Sequence, residues 1–227
     1  MCCRRSTVSA DARRCAAVPG VAAVWHVRPM ATVVLFHSVL GIRQGELDAA
    51  ERLRGDGHEV LVPDLYAGRV FDGYEPAIAW SDELGNDALF ERGLAAVADV
   101  PDGFVASGFS QGSTVAVFVA SRRAVAGVLQ FSGLNVVEWF GTDAAWPRGV
   151  DTQSHQTLRD PFRDDELTEQ AHRDVAAVGG RLELFDYPGG GHLFTDPTRP
   201  DEYDAKATEL LWSRVLPFVR VCESQVS

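Results

Sequence analysis

From Thr32 onward, short apolar runs rich in β-branched residues alternate with stretches of helical periodicity. Residues 32–37 (TVVLFH), 58–63 (HEVLVP), 103–109 (GFVASGF), 125–131 (VAGVLQF), 150–155 and 181–187 (RLELFDY) read as strands. Between them, residues 44–54 place Leu47, Ala50 and Leu53 on one helical face, and residues 81–98 do the same with Phe90, Leu94 and Val97. Helices are also expected over 113–122, 165–178 and 203–221. Strand and helix in repeated alternation put parallel strands side by side, with helical crossovers covering both faces. The expected fold is α/β: one mostly parallel, doubly wound sheet of about six to seven strands.

Composition narrows the function classes. The 227 residues are 46% hydrophobic and 23% charged, which suits a globular domain. No apolar run reaches the ~18 residues of a membrane span. The net charge of −11 argues against a nucleic-acid partner. Charge is uneven: residues 1–29 hold five arginines against Asp11, a net of +4, which leaves −15 for residues 30–227. Residues 1–29 read as a basic leader, either an organellar transit peptide or, preferred here, a dispensable extension that folds onto nothing. Residues 30–227 read as one domain. Cys2, Cys3 and Cys15 lie in the leader and only Cys222 in the body, so the body forms no internal disulfide. That pattern suits a reducing compartment, and a cytoplasmic location is expected.

Chemistry concentrates at Gly108-Phe109-Ser110-Gln111-Gly112, a G-x-S-x-G motif with an apolar strand before it and a helix after it. A sharp strand-to-helix turn exposes the serine hydroxyl, and the residues two before and two after must be small. The helix N-terminus sets the Gln111 backbone N–H beside the reacting carbonyl. The alternative is a glycine-rich strand end with a helix-capping serine. A base and an acid are expected in the order Ser, acid, His. His192 follows the sixth strand, and Asp160 follows the fifth in Arg159-Asp160-Pro161-Phe162. Asp143 and Asp151 are weaker acids for the role, while Asp164, Asp165, Glu166 and Asp174 suit the cap or solvated face of the next helix. The expected catalytic set is therefore Ser110, Asp160 and His192, with oxyanion donors from the backbone of Gln111 and Val39. Ser38, Tyr66 and Trp139 are candidates for the substrate pocket. Residues 133–149, with Trp139, Phe140 and Trp146, either line that pocket or pack at the surface. No cofactor is called for. No metal is either: His155 and His172 are too far apart for a local ligand pair, and His37 suits a pocket floor or core.

These blocks together resemble the dienelactone hydrolase family of the α/β-hydrolases. The similarity spans nearly all of residues 32–218. It rests on VVLFHSVLG, Pro63-Asp64-Leu65-Tyr66, GFSQG, RDPF, and GGGHLF followed by DPTRPDEYD with Arg199, Pro200, Tyr203 and Asp204. The resemblance implies an α/β-hydrolase fold without a large cap, and hydrolysis of a small ester or lactone. Three positions depart from the family pattern: Ser110 stands where its founding enzymes have cysteine, Ser38 where they have glutamate, and Asp196 where they have an arginine for the substrate carboxylate. Arg69 is the other candidate for an anion. An acyl thioesterase or carboxylesterase, or an inactive hydrolase fold serving as a binding module, are the competing readings.

Overall fold

The computed structural model describes residues 31–141 and 144–224; the expectations for residues 1–29 and for Asp143 lie outside the described residues. Six strands form one sheet: β1 (Thr32–Phe36), β2 (Glu59–Leu61), β3 (Phe104–Phe109), β4 (Val125–Phe131), β5 (Thr152–Thr157) and β6 (Leu182–Tyr187). Their order is β2-β1-β3-β4-β5-β6, and every pairing is parallel. Six helices accompany them: α1 (Gln44–Gly55), α2 (Tyr74–Leu84), α3 (Asn86–Ala96), α4 (Gln111–Ala120), α5 (Glu166–Ala177) and α6 (Ala205–Ser224). Among the described residues, none of the helices is long and apolar enough to cross a membrane.

The alternating pleat explains why the central strands β1, β3 and β4 are largely apolar, while β5 (TQSHQT) buries polar side chains instead. In β1, Val33 and Leu35 face one way and pack with Ala50 and Leu53 of α1 and Leu211 and Val215 of α6. Val34 and Phe36 face the other way, among Leu89 of α3, Val115 and Val119 of α4, and Val175 of α5. Both faces of β1 are covered, so neither carries a polar stripe. Most expected bounds shift by one to three residues, but the helix expected over 81–98 differs in kind. It is two helices, broken at Gly85, whose φ of +81° and ψ of 147° stop the helical path. The first begins earlier than expected, at Tyr74. Pro76 is compatible with it because a first-turn residue has no intrahelical acceptor for an N–H.

The strand order fixes where chemistry can sit. The chain runs from β1 outward to β2, then returns to place β3 on the other side of β1 and continues to β6. The loops after β1 and β3 therefore part in opposite directions, opening a crevice at the carboxyl ends of these two strands.

Candidate active site

Ser110 occupies that crevice, between the last residue of β3 and the first of α4. Its backbone lies at φ 52°, ψ −116°, a conformation that costs a non-glycine residue ~1–3 kcal/mol. Close packing enforces it. A Cβ on Gly108 would lie 2.1 Å from the Gly112 carbonyl oxygen, and one on Gly112 would lie 2.3 Å from that of Phe36. Only glycine fits at either position, and the second contact seats the first turn of α4 against the end of β1. Hydrogen bonds offset the strain. The Ser110 N–H donates to the Phe131 carbonyl at 2.7 Å. The Ser110 carbonyl accepts from the Ser113 N–H at 2.8 Å and from Ser113 Oγ at 2.6 Å. Asn135 Nδ2 in turn donates to Ser113 Oγ at 2.8 Å and to Gln130 Oε1 at 2.9 Å.

His192 reaches this serine from the loop after β6. Its Nε2 lies 2.7 Å from Ser110 Oγ, and its Nδ1 lies 2.7 Å from Asp160 Oδ2 and 2.9 Å from Oδ1. A carboxylate only accepts, so Nδ1–H donates to Asp160 and Nε2 is left to accept the Ser110 hydroxyl proton. Both His192 and Asp160 are buried, which strengthens the contact by lowering the local dielectric. Asp160 Oδ1 also accepts the Phe162 N–H at 2.9 Å. Asp151 instead pairs with Arg181 before β5 begins. Asp164 caps the start of α5 through the Glu166 N–H.

A second layer holds His192; of its members the sequence pointed only to the block carrying Arg199 and Glu202, without a role for either. Ser132, at the end of β4 with φ 53°, donates from Oγ to the His192 carbonyl. Glu202 Oε2 accepts the N–H of Leu193 at 2.7 Å and the Tyr74 hydroxyl at 2.8 Å, and Arg199 Nε donates to Oε1 at 2.7 Å. Burial alone would raise the Glu202 carboxyl. The three donors overcome that and hold it below the usual range, while Tyr74, half-buried and beside this carboxylate, is pushed up. Tyr74 and Phe162 close around the imidazole, with ring centroids 5.7 and 4.6 Å from it.

The two expected oxyanion donors are unspent. Neither the Val39 nor the Gln111 backbone N–H donates to another described group. The Val39 loop is fixed from behind by Glu46, a buried carboxylate that accepts the Ser38 N–H at 3.1 Å and the Arg43 N–H at 3.0 Å. Burial pushes the Glu46 carboxyl up, and these backbone donors counter part of the rise. A glutamate three residues into a helix was the available signal, since it returns to the N-cap backbone. The Gln111 side chain is clamped by the Tyr66 hydroxyl and by Ser81 Oγ.

A cleft of about 230 Å³ opens on Ser110 and His192. Trp139 lines it. Ser38 and Tyr66 do not. Glu46 draws Ser38 inward to full burial, and Tyr66 lies buried edge-on to His37 and Trp80. His37 belongs to the core: Nδ1–H donates to the Ser38 carbonyl, Nε2 accepts the Leu65 N–H, and burial lowers its pKa. Arg69 is exposed and lies over the Trp80 ring, away from the cleft. Asp196 is buried and pairs with Arg43. Among the described residues, no group of three His, Cys, Asp or Glu side chains is arranged to hold a metal ion.

Comparisons with known proteins agree with this architecture. A model of the dienelactone hydrolase family matches residues 18–222. A carboxymethylenebutenolidase from Rhodococcus opacus is 26% identical over 213 residues, covering 82% of this chain and 79% of that protein. The crystal structure of a dienelactone hydrolase-like promiscuous phosphotriesterase from metagenomic libraries superposes with a TM-score of 0.73 at 21% identity, over 86% of this chain and 87% of that one. The structure of an esterase, PE8, gives 0.56 at 17% identity, over 82% and 91%. The chain belongs to the dienelactone hydrolase family, whose hydrolase fold it shares.

Proposed function

We propose that this protein is a serine esterase or lactonase that opens small carboxylic esters through an acyl-enzyme on Ser110. One observation carries the reading: an unbroken hydrogen-bonded run from the Asp160 carboxylate through the His192 imidazole to the hydroxyl of a strained, exposed-turn serine. Ser110 Oγ attacks the acyl carbon as its proton passes to His192 Nε2, and the carbonyl electrons move onto oxygen. The Val39 and Gln111 N–H groups receive that oxyanion, each worth about 10²–10³ in rate by analogy with other such donors. Collapse of the intermediate breaks the bond to the alcohol oxygen, which takes the proton from His192. Water then repeats the sequence and releases the acid. Asp160 keeps the imidazole in the required tautomer and stabilises its charge.

A lactone undergoes the same steps with its alcohol still tethered. The relative named a carboxymethylenebutenolidase supports that substrate class, and the neighbour described as an esterase supports the open-chain one. We assign the activity to a reducing, cytoplasmic compartment. Among the described residues the one cysteine, Cys222, is buried, and burial pushes its thiol up to about 12. A fluorophosphonate probe is expected to label Ser110, and Ser110→Ala to lose both labelling and turnover of short p-nitrophenyl esters. Peptide mapping that finds the native protein unlabelled at Ser110 would overturn the proposal.

A further inference from the structure

We infer that the cleft selects esters bearing no negative charge and rejects substrates carrying a free carboxylate. The inference rests on the esterase reading above and names the substrate class of that same site. Its apolar wall is Leu134, Trp139, Phe162 and Leu167, with Trp139 and Phe162 each 51% exposed at the surface. Four of the polar residues beside that wall spend their donors within the protein. Ser113 Oγ donates to the Ser110 carbonyl, Thr114 Oγ1 to Asn135 Oδ1, and Ser132 Oγ to the His192 carbonyl. Asn135 Nδ2 is committed to Ser113 and Gln130.

No arginine or lysine lines the cleft among the described residues. Three arginines outside the cleft are engaged elsewhere: Arg163 with Asp165 and Asp186, Arg43 with Asp196 and Asp72, and Arg199 with Glu202. The formal charges that do line the cleft are both acidic. Asp160 is held by His192, and Asp164 is exposed beside the apolar wall. A substrate carboxylate entering here gives up water, meets no cation and approaches a like charge, each of which opposes binding. An uncharged ester requires only the two oxyanion donors and the apolar wall. Exclusion of the anion is thus specificity by repulsion rather than by an added attraction.

The test is a matched pair of chromogenic substrates, p-nitrophenyl hemiglutarate and its methyl ester, at about pH 7.5 where the free carboxyl is ionised. At low salt the methyl ester is expected to have the higher kcat/KM, by about tenfold or more, with the gap narrowing as salt screens the repulsion. Asp164→Arg is expected to raise kcat/KM for the hemiglutarate and shrink the gap. Because Asp164 also caps α5, Leu167→Lys provides a second cation on the same wall, and fluorophosphonate labelling of Ser110 verifies that each variant is folded. Equal turnover of both esters by a wild-type protein labelled at Ser110, or a preference for the hemiglutarate, overturns this inference alone. So does a gap that neither variant changes. No turnover of either ester and no labelling overturns the esterase reading, and this inference with it.

Discussion

His192 and His155 are both buried, and the contrast between them shows how position decides what an imidazole can do. His192 stands in a loop beyond β6, with one nitrogen on a carboxylate and the other on a hydroxyl that opens to a cleft. His155 stands inside β5. Its Nδ1 meets the Tyr187 hydroxyl at 2.9 Å, its Nε2 meets Gln153 Oε1 at 3.2 Å, and its ring stacks on Phe131 and Phe185. The first has an anion to support positive charge and a proton donor to draw on. The second is hydrogen-bonded only to neutral groups, and complete burial together with the nearby positive charge of Arg214 lowers its pKa to about 3. In the proposed mechanism a proton passes through His192; at His155 burial excludes it.

Removing the anion is the strongest way to break that contrast. Asp160→Asn leaves an amide where His192 Nδ1–H needs an acceptor, and the amide can turn its NH₂ toward the ring and favour the wrong tautomer. Single-turnover kinetics on p-nitrophenyl acetate are expected to show the acylation rate falling by about 10³–10⁴. A loss below tenfold would show that Asp160 does not orient the base.

The second layer should matter less, and through kcat rather than KM. Glu202 touches the N–H next to His192, not the cleft. Glu202→Gln keeps its size but makes all three contacts neutral and turns an NH₂ toward one of the donors, while Glu202→Ala removes all three. Losses of about 10-fold and about 100-fold in kcat are expected, by analogy with partners that orient a first contact residue elsewhere. A change confined to KM would show that Glu202 acts on binding. The partial recovery in the glutamine variant separates orientation from simple damage to the loop.

These roles differ in how far they can be read from sequence. Ser110, Asp160 and His192 follow strand ends in a known order, so local pattern and chain order are enough to find them. The central strands β1, β3 and β4 are legible because both faces are buried and the apolar runs are nearly continuous, whereas β5, the polar run TQSHQT, gives a weaker signal. Ser132 and Glu202 lack such a pattern. Ser132 meets a carbonyl 60 residues away, and Glu202 meets a hydroxyl 128 residues away. Only the folded sheet brings those partners together. Tyr74 was hidden twice: its helix starts just before Pro76, and its target lies on a separate loop. Ser38 and Tyr66 err in the other direction. Their place after β1 and β2 is right, but Glu46 and Gln111 turn them inward.

The smallest expected effect on catalysis belongs to His155, and there the measurable quantity is stability. An unfolded chain protonates this imidazole near pH 6.5, whereas the folded one resists protonation down to about pH 3. The unfolded state therefore binds more protons between those limits, and stability is lost as pH falls through them. The slope approaches ~1.4 kcal/mol per pH unit, or about 2–3 kcal/mol between pH 6.5 and 4.5. His37, also lowered by burial, contributes with the same sign. Glu46 contributes with the opposite sign, because its raised carboxyl is relieved by protonation as pH falls. The His155 share is isolated by comparing slopes rather than absolute stabilities. His155→Gln is expected to flatten the urea-unfolding free energy against pH by close to one proton, while kcat for the methyl ester stays within about threefold of wild type. An unchanged slope would mean that the buried imidazole is already charged in the folded protein, and the distinction drawn between the two histidines would fail.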